Sequence, residues 1–85
     1  MDKRLTIKQS ERFSKILEQI KDKQLKLKIF KQVEKILLNP NVGKPMTHIR
    51  KGTRELYIKP FRLSYCYSEA DNEITLLDLY HKDEQ

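Results

Sequence analysis

The sequence predicts an α+β domain: an antiparallel helical hairpin packed on one face of a small, twisted, mainly antiparallel sheet, in the order β-α-α-β-β-β. Three observations carry this. The apolar period is near 3.6 up to Leu38 and falls to 2 beyond Pro40. Turn residues gather at the same point, as Pro40, Asn41, Gly43, Pro45 and Gly52. The apolar sets of the later strands also need cover, which two amphipathic helices supply.

Leu5 to Ile7 alternate apolar and polar, enough for a short first strand at an edge or in a pairing position. Ser10 can cap the helix that follows, where Phe13, Ile16, Leu17 and Ile20 fall at i, i+3, i+4 and i+7 as one apolar stripe. After a turn at Lys21 to Lys23, a second helix carries Ile29, Phe30, Val33, Ile36 and Leu37 on one side. It stops at Asn39, because Pro40 disfavours helical backbone at the residue before it. So short a connection makes the helices antiparallel.

In Thr53 to Lys59, Leu56 and Ile58 alternate with Glu55, Tyr57 and Lys59. In Phe61 to Ser68, Leu63, Tyr65 and Tyr67 alternate with Arg62, Ser64, Cys66 and Ser68. Glu69 to Asn72 makes a polar turn, and Glu73 to Tyr80 is the last strand, whose facing the adjacent Leu76 and Leu77 leave open. With Leu56, Ile58, Leu63 and Tyr65 toward the helices, Glu55, Tyr57, Lys59, Arg62 and Ser64 share the open face. That polar set is the place to seek chemistry.

The chain has 85 residues, fewer than the ~100 to 200 usual for a domain, which points to one small domain over 1–85 and excludes architectures such as a TIM barrel. At 38% hydrophobic and 35% charged it can build a modest core and is not a disordered tail. No apolar run approaches the ~20 residues of a membrane span, nor is there an N-terminal apolar stretch fit for a signal peptide, so a cytoplasmic protein is expected. The lone Cys66 cannot form an internal disulfide. His48 and His81 are too few for a zinc cluster, so neither metal nor cofactor is expected.

Net charge is +6, the balance of a protein that meets polyanions. Eleven basic and five acidic residues precede Asn39, and Lys44 to Arg62 adds six basic residues against Glu55 alone. From Glu69 to Glu84 the sign reverses, with six acidic residues against Lys82. The cationic middle suggests a phosphate-binding surface.

The residues here resemble the RelE/ParE toxin superfamily of toxin–antitoxin systems. Gly43-Lys44-Pro45 follows the second helix, and Gly52-Thr53-Arg54-Glu55-Leu56-Tyr57-Ile58 runs into Phe61-Arg62-Leu63-Ser64-Tyr65, which is similar to the family's paired strands. Leu76-Leu77-Asp78-Leu79-Tyr80-His81-Lys82 resembles its closing strand and basic terminus. The resemblance implies a ribosome-dependent, metal-independent mRNA endoribonuclease that inhibits translation and is silenced by a cognate antitoxin. It implies that Arg62 contacts the scissile phosphate, that Lys59 and Arg54 stand for basic residues of the preceding strand, and that His81 and Lys82 fall where some members carry a catalytic His or Arg. Tyr57 stands where many members have Arg, Met46 where one branch has a carboxylate, and no tyrosine follows His81. These departures support the alternative, a non-nucleolytic ParE-like or degenerate toxin acting by protein binding, for example on gyrase. A plain RNA-binding module ranks third.

Attack of a 2′-OH on its own phosphate needs a base, a donor to the departing 5′ oxygen and fixed positive charge beside the phosphorane. Arg62 suits the last role, since guanidinium bridges two phosphate oxygens where lysine offers a point charge. Its alternative is an ion pair with Glu55 across the hairpin. Lys59 is a further catalytic candidate. Lys44, Arg50, Lys51, Arg54 and Lys82 read as an RNA-binding surface, and any of them alone as a solvated charge. His81 is a candidate acid or base, because an imidazole titrates near neutrality, or else an exposed end residue paired with Asp78 or Glu84. Glu55 is the other acid/base candidate, with a salt bridge to Arg62 or Lys59 as its alternative. Tyr57 can stack on a base. Tyr65 and Tyr67 belong to the core phase, Tyr80 to either, Cys66 is half-buried without a nucleophile's partner, and His48 faces solvent.

Overall fold

The computed structural model describes residues 4–84. Its elements are β1 (Thr6–Gln9), α1 (Glu11–Gln19), α2 (Lys23–Leu38), β2 (Lys44–Pro45), a 3₁₀ turn (His48–Arg50), β3 (Arg54–Ile58), β4 (Phe61–Ser68), β5 (Glu73–His81) and a closing 3₁₀ turn (Lys82–Glu84). The five strands form one sheet in the order β1-β5-β4-β3-β2. The meander β3-β4-β5 is antiparallel as expected, β2 adds an antiparallel edge, and β1 joins β5 in parallel. The first strand thus lies one to two residues beyond the Leu5 to Ile7 expected, and β2 is an element whose two residues were too few for periodicity to reveal.

Ser10 caps α1, its hydroxyl accepting from the Phe13 amide at 3.0 Å and donating to the Leu77 carbonyl at 2.7 Å. One side chain therefore starts the helix and ties it to β5. Asp22 caps α2 through the Gln24 and Leu25 amides, so the connection between helices lies one residue earlier than the predicted turn. Asn39 ends α2 as Pro40 requires.

Phe13, Ile29 and Ile36 close over Ile58, Leu63, Tyr65, Ile74, Leu76 and Leu79 of the sheet, with Ile16, Leu17, Ile20, Val33 and Leu56 packed around them. Phe30 and Leu37 depart from the expected stripe and stand exposed. Ile29, Val33 and Ile36 at i, i+4 and i+7 define the inward line. Phe30 and Leu37 each follow a member of it by one residue, a turn of about 100° away from the sheet.

Facing in β5 is settled by a bulge. Ser64 pairs with Asp78 but Tyr65 pairs with Leu76, so Leu77 is the extra residue and the alternation reverses across it. Ile74 and Leu76 face the helices before it, Leu79 after it, and Tyr80 is delivered to the opposite face. Tyr65 is buried and its hydroxyl donates to the Pro40 carbonyl at 2.8 Å while accepting from the Gly43 amide at 2.9 Å. Gly43 is needed there, since a Cβ would sit 2.8 Å from the Tyr65 ring and hydroxyl.

Candidate functional site

Four strands bring polar side chains onto the face away from the helices. Tyr57 of β3 pairs with Arg62 of β4, which pairs with Tyr80 of β5; one step along, Lys44 of β2, Glu55, Ser64 and Asp78 form the next row. Arg62 is the central cation of this face. Its guanidinium lies 6.0 Å from the Tyr57 ring centre, and Nη1 is 3.7 Å from Glu55 Oε1. Val42, Lys44, Met46, Glu55, Leu56, Tyr57 and Arg62 line a hollow of about 300 Å³ beside it.

Glu55 shares the face predicted for it but is not exposed there: it is 5% accessible. The 3₁₀ turn and its flanks fold back so that Arg50 Nη1 donates to Glu55 Oε2 at 2.9 Å and to the Tyr80 hydroxyl at 2.6 Å. The Tyr80 hydroxyl in turn donates to Glu55 Oε2. A carboxylate can be buried here because two donors meet it. The hydrogen bond to Tyr80, and then the attraction of Glu55, hold the Arg50 pKa above its ordinary value against the opposing cost of burial. Among the described residues, Glu55 Oε1 and Arg62 Nε are buried without a hydrogen-bond partner, and both belong to the residues of the Arg62–Glu55 ion pair.

The other predicted basic residues divide. Lys44, Lys51, Lys59 and Lys82 are exposed, with Lys59 at the turn between β3 and β4, where it is joined to Pro60 by a cis peptide bond. Arg50 turns inward to Glu55 and Tyr80 instead of presenting its charge fully to solvent. Arg54 also departs from the predicted surface. It has the phase of Leu56 and Ile58, and its Nη1 donates to the Asn41 and Gly43 carbonyls at 3.1 and 2.8 Å, which fastens the loop before β2.

His81 pairs with Phe61 at the end of the sheet, its ring edge-on to the Phe61 ring with centroids 5.7 Å apart. That is the phase of Ile58 and Leu79, opposite to Arg62 and Tyr80, so the sheet does not place His81 and Arg62 side by side on one face. Its Nδ1 accepts from the Asp83 amide at 3.2 Å and lies 3.6 Å from the Asp83 carboxylate, in place of Asp78 or Glu84. Asp78 pairs with Arg12 at 3.0 Å. Tyr57 is half exposed and open for stacking, Tyr67 and Cys66 are half-buried, and His48 is exposed. Among the described residues no group of three or more His, Cys, Asp or Glu is placed to hold a metal ion, and no helix is long and apolar enough to cross a membrane.

The sequence reading missed the Arg50–Glu55–Tyr80 cluster. Its one signal was Glu55, the only acidic residue from Lys44 to Arg62.

A helical hairpin on one face of a small sheet, with an arginine and lysines on the other, is the architecture of the small toxins of toxin–antitoxin systems. Residues 7–85 match the family described as ParE toxin of type II toxin-antitoxin system, parDE, and the chain belongs to that family. Among solved structures it is similar to a chain of the intact RelBE toxin-antitoxin complex of E. coli, with a TM-score of 0.78 at 11% identity over 91% of this chain and 95% of that one. It is also similar to HP0894, a conserved hypothetical protein of Helicobacter pylori, with a TM-score of 0.64 at 27% identity over 93% and 96%. YafQ of E. coli gives 0.67 at 16% identity over 92% and 93%. No curated protein sequence matches.

Proposed function

We propose that this toxin is a ribosome-dependent mRNA endoribonuclease whose open sheet face binds the scissile phosphate. The observation that carries the reading is Arg62. It stands at the centre of a face otherwise furnished with Lys44, Tyr57 and Lys59, its side chain 36% exposed. Guanidinium in that state can grip a phosphate through two nitrogens and neutralise the charge that grows on it during in-line attack. Tyr57 supplies a ring for a neighbouring base, and Lys44, Lys51 and Lys59 fix the backbone's course. His81 is assigned the proton transfer. Because its phase is opposite to that of Arg62, RNA touching both must bend around the end of the sheet beside Lys59.

A cognate antitoxin is the partner that silences the toxin. Support comes from the family itself and from the cationic surface, which suits an acidic segment.

The test is primer extension on mRNA from translating ribosomes incubated with purified protein. New 5′ ends that need ribosomes are the expected result; intact mRNA at concentrations that arrest growth would overturn the reading. A second reading, a toxin that acts by binding a protein such as gyrase, is favoured by the ParE character of the family match and by the separation of His81 from Arg62.

A further inference from the structure

We propose that Glu55 is a positioning residue for Arg62, held by Arg50 and Tyr80, and not a proton-transfer group. The inference rests on the endoribonuclease reading. The two carboxylate oxygens have separate duties. Oε2 takes both outside donors, Arg50 Nη1 at 2.9 Å and the Tyr80 hydroxyl, so the carboxylate is held through this oxygen. Oε1 is then left pointing at Arg62, 3.7 Å from Nη1.

A base must reach the hydroxyl that it deprotonates. Oε1 is buried, and the Glu55 side chain is 4% exposed, so an RNA 2′-OH meets Arg62 before it meets the carboxylate. Orientation of Arg62 is what Glu55 can provide. A free arginine side chain samples many rotamers, and a carboxylate beside it restrains it before the phosphate arrives.

Charge explains the third member. Glu55 alone beside Arg62 would cancel the charge that the phosphate is to meet. Arg50, bonded to the same carboxylate, leaves the group of two arginines and one glutamate with a net positive charge. Arg50 also lies over the Tyr80 ring, 5.0 Å from its centre, a further contact that holds the guanidinium in place. The turn from His48 to Arg50 is thereby part of the site without touching the substrate. Thr53 secures it, its hydroxyl and amide both donating to the Arg50 carbonyl.

The test compares Glu55→Gln, Tyr80→Phe and the double variant in single-turnover cleavage on ribosomes, in binding of a fluorescein-labelled single-stranded RNA, and in ¹⁵N spectra of the Arg62 Nε–H. Positioning predicts that Tyr80→Phe slows cleavage about tenfold and Glu55→Gln about a hundredfold, the scale of a small misplacement. It predicts RNA affinity changed less than rate, and a double variant no slower than Glu55→Gln, because the two act through one interaction. The limbs of the pH–rate profile stay in place in Glu55→Gln, and the Arg62 Nε–H resonance moves in both single variants. Loss of a limb in Glu55→Gln together with a wild-type rate in Tyr80→Phe makes Glu55 the base and overturns the proposal. If the wild type cleaves nothing, the endoribonuclease reading falls by itself. The spectra still decide on Glu55, and an Arg62 resonance unmoved in Tyr80→Phe and Glu55→Gln overturns the positioning role.

Discussion

Arg62 and His81 divide the proposed chemistry between charge and proton transfer, and each can be removed without emptying the core. Arg62→Ala takes away the guanidinium and leaves the β4 backbone paired on both sides. It is expected to slow cleavage by roughly 10² to 10³, the usual loss when one donor to a developing oxyanion is deleted. Growth arrest on induced expression should weaken in parallel, with circular dichroism unchanged; undiminished toxicity in a folded variant would remove Arg62 from phosphate binding. His81→Gln should slow single-turnover cleavage by roughly 10² to 10⁴ with RNA affinity kept. A rate like that of wild type would transfer the proton to another group. Arg62 was legible in the sequence because strand alternation fixes the facing of a residue flanked by Phe61 and Leu63. The burial of Glu55 was not, since alternation gives the face and says nothing of a loop folding over it.

At the scale of elements, the sequence disclosed much that rests on local periodicity, Phe30 and Leu37 of α2 excepted, and concealed what rests on register. The stripe in α1 and the alternation of β4 stand where they were expected, while β5 resisted because Leu77 is a bulge. Plain alternation from Ile74 and Leu76 would turn Asp78 and Tyr80 toward the helices and Leu79 outward. One extra residue reverses all three, and only so does Tyr80 reach Glu55. Gly43, Pro40 and Tyr65 form a second long-range join, 22 and 25 residues apart along the chain. Burial raises the Tyr65 phenol above its ordinary pKa of 10.0, with the Gly43 amide and the charge of Arg54 opposing. A phenol raised in the folded state gives up its proton later than in the unfolded chain. Its contribution to stability is therefore complete below about pH 10 and is lost as pH rises through the raised folded value. Tyr65→Phe should lower stability by about 1 to 3 kcal/mol at neutral pH, because the Gly43 amide and Pro40 carbonyl lose their partner, and should soften the alkaline decline. Urea titrations at pH 7 and above pH 10 measure both; equal stability at neutral pH, or an equally steep decline, would deny the phenol that role.

Across the whole molecule, charge and apolar surface are arranged as two separate opportunities for a partner. The sheet face carries Arg62, Lys44 and Lys59, while the outer side of α2 exposes Leu27, Phe30, Leu37 and Leu38 among Lys23, Lys28, Lys31 and Lys35. Basic residues dominate both stretches before Leu63, and acidic residues outnumber them only after it. An antitoxin segment that is amphipathic and acidic matches the α2 side in both respects, apolar line to apolar line and carboxylate to lysine. Phe30→Asp should then raise the dissociation constant roughly 10- to 100-fold, the equivalent of losing a buried aromatic side chain. Since Phe30 takes little part in the core, the variant should fold and remain toxic. Affinity should also fall about tenfold or more when salt is raised from near 50 mM to 500 mM, because exposed charge pairs are screened over a Debye length. Calorimetric titration of the purified pair gives both values. If Phe30→Asp binds like wild type while Arg62→Ala does not, the antitoxin lies on the sheet face and silences the toxin by covering the phosphate site. If affinity is indifferent to salt, the lysines of α2 take no part, and the positive charge of this small domain is reserved for its target.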